Sequence, residues 1–472
     1  MLQKSSIQPT KVRLHGIAHN GWTLGAAAPA GGDAPKSWGL PLNATTIGTV
    51  VGLAIAAGFA LLCRRDIRRA VVVFVALGWV PFVRVFELAG SRITQSLLLV
   101  EVLTTVMVAV WWLGRVRAPR SPLVPSAVNR PLLLMIALSL VSLAWNLGGV
   151  DPNVPAQHVK IMVSIGQVLL VAWPVGLYFV SANAVRDTAT MQTIVRLVVV
   201  MAIPSISLTL LPVAWRSYVG WSVYFGLVAS PLCFAASFET RGLFRRLALW
   251  ALAVSPLLYG LSIGKAFLYV TTAVSLGVVA YIRAQRRLLA ALPLILGAYM
   301  VMASVTSSFV PWPLQDLISV ERQQQSWGGR AGRVALAADT LAIWVRHPLF
   351  GVGPGNSWPY MHRYSVIDTP HNQYLNLLLE FGIVGLACFL WFIVGGLRTG
   401  IDALRNMRNP FHRTLVTGWL GLFCGMAVSG LTGDFMFHSI RNGGLDLFSV
   451  FYLQWIFLGM VVAAAEIERR NA

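Results

Sequence analysis

The sequence has few charged residues and very few acidic ones. Charged side chains make up 11% of its 472 residues, with 17 acidic against 37 basic, whereas 56% of the residues are hydrophobic. The mean hydropathy is +0.69. This composition excludes an ordinary soluble protein and a disordered one, and it indicates a polytopic membrane protein. The net charge of +20 does not indicate nucleic-acid binding, because the basic residues lie mainly in short loops between apolar runs.

Cysteine and clustered carboxylates are also scarce. Cys63, Cys233, Cys388 and Cys424 lie in apolar runs without CxxC spacing, so we interpret them as small core residues. The sequence has no DxD, no HExxH and no paired carboxylates at an outer span end. A divalent metal needs clustered oxygen ligands, so we predict no metal site and no cofactor. Residues 1–40 are polar and lack an apolar h-region, so no cleavable signal peptide is expected.

Long apolar runs predict an all-α polytopic membrane protein with about 12 or 13 transmembrane helices. The predicted spans cover residues 43–63, 70–89, 93–113, 131–149, 159–180, 192–212, 219–238, 247–263, 265–282, 288–308, 373–397, 413–432 and 446–465. The predicted organisation is a polar N-terminal segment (1–40), a transmembrane bundle (41–308), one large loop with interfacial helices (309–370) and C-terminal transmembrane helices (371–472).

Arginine-rich loops predict the orientation of the chain. The loops "RRDIRR" (64–69), "RVRAPR" (115–120), "RAQRR" (283–287) and the segment 398–413 are short and basic, so we assign them to the cytoplasm. The C-terminus then lies inside, and the long loop 309–370 faces outward. The side on which the N-terminus lies depends on the span count and stays open.

The outward loop carries a predicted helix and a glycine-rich turn. Val334, Ala337, Leu341 and Trp344 recur at helical spacing, which predicts an amphipathic helix along the membrane surface. Arg330 and Arg333 are three residues apart on its first turn, where two guanidinium groups can bind phosphate oxygens. "HPLFGVGPGN" follows, and its glycines predict a turn that leads the chain back.

The motif "DTPHNQYLNLLLEFGIVG" begins the next predicted span at the outer face. We expect Thr369 to cap the helix, Pro370 to take its first position and His371 to follow on its first turn. Free backbone N–H groups there favour an anion, and the helix dipole favours a neutral imidazole. His371 is therefore a candidate general base; the alternative is a capping or interfacial histidine. Tyr374 shares its face and adds a hydroxyl.

Two further cations reach the outer side. Arg216 lies in "LPVAWRSYVGW" between two spans, and Lys265 lies in "LYGLSIGKAF" at a hairpin tip. Either one alone could be a snorkelling anchor. The whole set, however, suits a diphosphate whose lipid tail stays in the membrane: Arg216, Lys265, Arg330, Arg333 and His371. Because acidic residues are scattered singly, these cations would replace Mg²⁺ as the charge clamp.

These motifs resemble the O-antigen ligase family of bacterial envelope enzymes, within the larger ligase/polymerase superfamily. The resemblance is most specific over about residues 326–390, which hold Arg333, "HPLFGVGPG" and "PHNQYLNLLLEFGIVG". It implies that His371, Arg333 and Arg216 are catalytic. We also expect Lys265, Arg330, Tyr374 and Asn372 to bind substrate; relatives often have an arginine at the Lys265 position. The "NPN" common after the Arg216 position is absent, since "GWSVYF" stands there.

The resemblance implies a membrane glycosyltransferase of GT-C-like architecture in the bacterial inner membrane, with its active site facing the periplasm. The donor would be a glycan on undecaprenyl diphosphate, the acceptor lipid A–core, and membrane lipids would surround the chain. Related enzymes are O-antigen polymerases and protein O-oligosaccharyltransferases, so the acceptor stays open. A lipid-linked glycan transporter is the alternative from another class, and it predicts broken helices and mid-span polar residues. Charges inside the spans are rare, with Glu101 the main exception, which favours an enzyme.

Overall fold

The computed structural model describes residues 44–78, 84–88, 95–117, 123–148, 161–207, 222–262, 266–284, 333–361, 369–440, 448 and 451–472. Within these ranges the chain is mainly helical, with one short hairpin of β1 (Arg84–Leu88) and β2 (Gln95–Leu98). The helices are α1 (Ala44–Arg65), α2 (Ile67–Leu77), α3 (Leu99–Arg117), α4 (Asn129–Gly148), α5 (Ile161–Ala184), α6 (Thr188–Ala202), α7 (Pro204–Ser207), α8 (Ser222–Ser237), α9 (Leu243–Ser262), α10 (Ala266–Ala284), α11 (Arg333–Trp344), α12 (Ser357–Met361), α13 (Gln373–Asn406), α14 (Pro410–Ser429) and α15 (Leu453–Asn471).

Several of these helices can cross a membrane. Among the described residues, four stretches are long and apolar enough by length and composition: Leu99–Arg117, Ile161–Ala184, Thr188–Ile206 and Gln373–Asn406. Shorter apolar stretches lie in α4, α8, α10 and α11. The chain is therefore a multi-pass membrane protein. The predicted count of 12 or 13 spans stays a prediction, and the run 288–308 lies outside the described residues.

Short polar caps make the tight turns between several helices. Asp66 accepts hydrogen bonds from the backbone N–H groups of Arg68 and Arg69 and so begins α2. Asp187 caps α6 by accepting from Thr190 N, and Asn409 caps α14 ahead of Pro410. Each side chain satisfies N–H groups that the first helical turn leaves without a partner. These turns lie in or beside the arginine-rich loops of the predicted cytoplasmic side.

The hairpin corrects two of the predicted spans. Helix α2 ends at Leu77, and β1 pairs antiparallel with β2 before α3 begins at Leu99. Runs 70–89 and 93–113 are therefore not continuous helices, because a short apolar run does not by itself distinguish a strand from a helix. Glu101 also has a different setting from the one expected. It lies in the first turn of α3, where its carboxylate accepts a hydrogen bond from Leu98 N at 2.6 Å.

Close helix packing forms the core around α14. This helix contacts α8, α10, α13 and α15, while α5 packs against α3, α4 and α15. Gly421 and Gly425 lie four residues apart on the side of α14 that faces α10. A Cβ at Gly425 would press on the carbonyl oxygen of Thr271, so these glycines let the two backbones approach. A 2.5 Å hydrogen bond between the hydroxyls of Thr271 and Ser429 also joins the pair.

Helix α11 confirms the helix predicted in the outward loop, and its placement along the membrane surface stays a prediction. The helix buries Leu336, Thr340 and Ile343, whereas Leu341, part of the predicted apolar stripe, is 41% exposed. Its buried side joins a small apolar cluster: Leu336, Ile343, Val352, Tyr360, Met361 and Leu379. This cluster attaches α11 and α12 to α13.

Candidate active site at the start of helix α13

The start of α13 differs from the predicted arrangement. Asn372, not Thr369, is the N-cap, and its side-chain oxygen accepts hydrogen bonds from Tyr374 N at 3.0 Å and Leu375 N at 3.2 Å. The helix begins at Gln373, so Pro370 lies outside it. Asparagine is at least as good a cap as threonine, and here it reaches two N–H groups at once.

His371 therefore precedes the cap and does not stand on the first helical turn. Its backbone φ is +48°, and it is the one non-glycine residue with a positive φ in the described part of the chain. The left-handed conformation costs roughly 1–2 kcal/mol for a residue with a Cβ. Such strain persists only where the surrounding structure holds it, and it concentrates at functional sites. The half-buried His371 is thus held in a specific, unfavourable backbone conformation next to the helix start.

The backbone N–H groups of the first turn of α13 are all occupied by the protein. The cap of Asn372 takes two of them, and its carbonyl takes the N–H of Asn376 at 2.8 Å. Gln373 N donates to the carbonyl of Gly430 at 2.7 Å. The expected anion site formed by free N–H groups at this helix end is therefore wrong. A phosphate bound near His371 needs cationic side chains rather than this helix terminus.

Two residues predicted to bind substrate also fix the helix start to its surroundings. The hydroxyl of Tyr374 donates to the carbonyl of Ala427 at 2.7 Å, and the side-chain amide of Asn372 donates to the carbonyl of Leu431 at 3.2 Å. Both acceptors lie at the C-terminal end of α14 or just beyond it. These contacts position α13, and the substrate-binding role of both residues stays a prediction.

Helix α13 is broken at its tenth residue. Gly382 has φ +67° and ψ −166°, which is not helical. In a continuous helix the N–H groups of Ile383 and Val384 would bond the carbonyls of Leu379 and Glu380. Instead, the docked loop (residues 347–353) takes all four groups. The bonds are Val352 N to Leu379 O (2.8 Å), Gly353 N to Glu380 O (3.0 Å), Ile383 N to Pro348 O (2.9 Å) and Val384 N to Leu349 O (3.4 Å).

The docked loop fits against α13 only because glycines stand at the contact. A Cβ at Gly382 would overlap the carbonyl of Leu349, and one at Gly351 would overlap the backbone of Leu379 and Glu380. Gly351, like Gly382, has a positive φ. Ser142 of α4 donates to the carbonyl of Phe350 at 2.9 Å and so holds the loop from the other side. The predicted turn is confirmed, and it joins "HPLFGVG" to "LEFGIVG" as one unit.

A buried segment after α14 was not predicted from the sequence. We name residues 433–440 the glutamine-held segment, because glutamines from three helices bind its backbone. Gln373 of α13 binds Met436 and Phe437, Gln167 of α5 binds His438 and Ile440, and Gln454 of α15 binds Phe435. Each glutamine stands in or beside an apolar run, and a buried amide needs hydrogen-bond partners. Glutamines within apolar runs are therefore the sequence signal from which this segment could have been predicted.

The glutamine-held segment contains three buried polar residues, Asp434, His438 and Ser439. All three are at most 1% exposed. His438 donates through Nδ1 to the carbonyl of Asp434 at 2.6 Å, because a carbonyl oxygen can only accept. Burial lowers the pKa of His438 to about 4, so its imidazole is neutral at pH 7. The segment thus adds a neutral, fixed histidine to the core beside the start of α13.

A comparison with protein families finds a match that includes the start of α13. Residues 247–390 match the family model described as O-antigen ligase. This part of the chain is therefore similar to the O-antigen ligase family. The match confirms the resemblance over residues 326–390 and extends it back across α9 and α10. None of the curated proteins matches the chain as a relative.

The matched residues 247–390 contain the docked loop, the break in α13 and His371. Arg333 also lies among them, as the first residue of α11. Arg216, Lys265 and Arg330 lie outside the described residues, so the grouping of these cations with His371 stays a prediction. Within the described ranges, no three His, Cys, Asp or Glu side chains lie close enough to hold a metal ion.

Proposed function

We propose that this protein transfers a glycan from undecaprenyl diphosphate to a sugar hydroxyl of lipid A–core at the periplasmic face of the inner membrane. The observation that supports the proposal is the match of residues 247–390 to the O-antigen ligase family model, which includes His371 and the docked loop of a multi-pass membrane protein. In this proposal residues 41–308 and 371–472 form the membrane bundle of a GT-C-like glycosyltransferase. Residues 309–370 form its periplasmic loop.

The reaction is a single displacement at the anomeric carbon of the donor glycan. The acceptor hydroxyl forms the new glycosidic bond while the bond from the anomeric carbon to the phosphate oxygen breaks, so the configuration inverts. His371 removes the hydroxyl proton or orients the hydroxyl. The lipid diphosphate leaves with the bonding electron pair, and it needs charge stabilisation more than protonation.

Cationic side chains supply that stabilisation in our proposal. The N–H groups at the start of α13 already bind protein acceptors, so the diphosphate charge falls to side chains. Arg216, Arg330 and Arg333 can bind phosphate oxygens through two N–H groups each, and Lys265 adds a point charge. The fixed position of His371 beside α13 suits a group that must meet the acceptor at a defined distance.

Three alternatives remain, and each predicts a different product. An O-antigen polymerase extends another lipid-linked glycan, and a protein O-oligosaccharyltransferase modifies serine or threonine. A lipid-linked glycan transporter forms no bond. The break in α13 beside the buried Glu380 is a feature expected of transporters. The docked loop supplies hydrogen-bond partners for the backbone groups that the break leaves unpaired within the helix. These fixed bonds favour a rigid site over a moving helix.

Product formation separates these functions. Purified protein in detergent or vesicles is incubated with an undecaprenyl diphosphate glycan as donor. Each reaction contains one acceptor: lipid A–core, a second lipid-linked glycan, or a serine- and threonine-containing protein. We expect a glycosylated lipid A–core. Product only with another acceptor supports the corresponding alternative, and donor movement across vesicles without any new glycosidic bond supports the transporter.

We predict that transfer continues after complete chelation of divalent ions. The sequence supplies single acidic residues rather than clusters, and cations take the charge-stabilising role in the proposed mechanism. Transfer rates are compared before and after treatment with EDTA. Loss of transfer that Mg²⁺ or Mn²⁺ restores contradicts the metal-independent mechanism.

We predict that Arg333→Ala, and to a lesser degree Arg216→Ala, weakens use of the diphosphate donor in a folded protein. Loss of a charge-assisted hydrogen bond costs about 1.5–3 kcal/mol, which corresponds to roughly a ten- to hundredfold loss at limiting donor. Arg346→Ala removes an exposed arginine just after α11 and serves as the matched control. If Arg333→Ala and Arg216→Ala use limiting donor as well as the wild type and Arg346→Ala do, Arg333 and Arg216 are only interfacial anchors.

A further inference from the structure

Gln373 makes an unusual set of hydrogen bonds for one core residue. It is the first residue of α13, its side chain is fully buried, and it lies two residues after His371. Its side-chain oxygen accepts from Met436 N and Phe437 N, both at 3.1 Å. Its side-chain nitrogen donates to Phe437 O at 2.7 Å. One amide thus satisfies three backbone groups of the glutamine-held segment.

These bonds set the relative position of two chain segments. The backbone N–H of Gln373 also donates to Gly430 O at 2.7 Å. The start of α13 is therefore fixed both to the end of α14 and to the segment that follows it. His371 adjoins this fixed point, and its left-handed backbone requires support from its neighbours.

The other two glutamines offer an internal comparison. Gln167 donates to His438 O at 2.9 Å and accepts from Ile440 N at 2.6 Å, and Gln454 donates to Phe435 O at 2.7 Å. Both bind the same segment, but from α5 and α15 rather than from α13. Each contributes to burial of the segment without a direct link to the chain next to His371.

We propose that Gln373 is a positioning residue for glycan transfer: it fixes the backbone that carries His371 against the glutamine-held segment. This inference rests on the proposed function, since the imidazole must meet a reacting hydroxyl for its position to matter. A displacement of about 1 Å at a reacting group can cost on the order of a hundredfold in rate. Loss of Gln373 therefore reduces turnover more than it reduces donor binding.

Matched substitutions test this role. Gln373→Met, Gln167→Met and Gln454→Met each remove the side-chain hydrogen bonds to the segment at similar volume. Melting temperature, kcat and the donor KM are measured for each variant. We expect all three to melt at lower temperature. Only Gln373→Met should lose kcat, by roughly ten- to a hundredfold, with the donor KM nearly unchanged.

Gln373→Glu provides a second readout that does not depend on the stability of the methionine variant. A neutral carboxyl can replace the amide, since its O–H donates to Phe437 O and its other oxygen accepts from the two N–H groups. The ionised form places a negative charge against that carbonyl. The ratio of variant to wild-type kcat should therefore rise as the pH falls, with kcat corrected for the folded fraction.

The outcomes distinguish this inference from the proposed function. If wild-type protein is active, and Gln373→Met keeps as much kcat as Gln454→Met, the positioning role is overturned alone. If Gln373→Met does not fold, a pH-independent kcat ratio for Gln373→Glu overturns it equally. Wild-type protein that transfers to no acceptor overturns the proposed function, and this inference with it.

Discussion

Replacement of His371 by alanine is expected to reduce glycan transfer by about 10²–10⁴-fold, the usual loss for a general base, while donor binding largely persists. In the proposed mechanism the imidazole acts at the acceptor hydroxyl, whereas cationic side chains hold the diphosphate. Transfer rate, donor affinity and melting temperature are measured on the same purified variant. A purely structural histidine would instead lower stability and leave the folded molecules active.

The backbone of His371 makes the choice of control important. Asparagine tolerates a left-handed conformation better than most residues, so His371→Asn removes the imidazole with little added strain at φ +48°. His347→Asn makes the same change at a half-buried histidine of the docked loop, which packs edge-on against Tyr360. Near-normal transfer by well-folded His371→Asn contradicts the catalytic role. Equal loss of donor binding and transfer would instead place His371 among the groups that bind the donor diphosphate.

Gly382→Ala is expected to lower the free energy of unfolding by more than about 4 kcal/mol, a loss that single substitutions cause only when they severely disrupt the local structure. Alanine would have to take φ +67°, and its Cβ would overlap the carbonyl of Leu349 in the docked loop. Relief of that overlap breaks the bonds that satisfy the helix break. Because whole domains are stable by only about 5–15 kcal/mol, we expect low yield or a sharply reduced melting temperature.

Gly277→Ala is the matched control for this prediction. Gly277 lies inside α10, and a Cβ there has no neighbouring atom within 4 Å. Alanine in a helix interior is favoured over glycine by roughly 0.5–1 kcal/mol, so this variant should melt at or slightly above the wild-type temperature. A Gly382→Ala variant that melts with the wild type would show that the docked loop is dispensable for stability.

The sequence indicated the helices better than their contacts. Periodicity correctly placed a helix at α11, but its buried side is set by the apolar cluster that also contains Leu379. The hairpin of β1 and β2 was missed because its apolar run continues the pattern of the neighbouring helices. Local pattern alone does not report which distant element an apolar side meets.

In the candidate site, too, the local motif was predicted from the sequence but its long-range contacts were not. The motif around His371 was found from residue types and order, yet its cap was assigned to Thr369 because both Thr369 and Asn372 are good capping residues. One of the occupied N–H groups, that of Gln373, depends on Gly430, far away in the sequence. The role of Gln373 likewise depends on Met436 and Phe437. Long-range hydrogen bonds of this kind leave no periodic trace in a sequence.

The exchange of hydrogen bonds at Gly382 also defines which part of this protein could be transplanted. The docked loop supplies the partners that α13 lacks, and α13 supplies those that the loop lacks. A chimera that takes residues 347–353 from a relative without residues 379–384 would combine two unmatched halves. A graft of the docked loop therefore has to carry both stretches, and the recipient needs a hydroxyl at the position of Ser142.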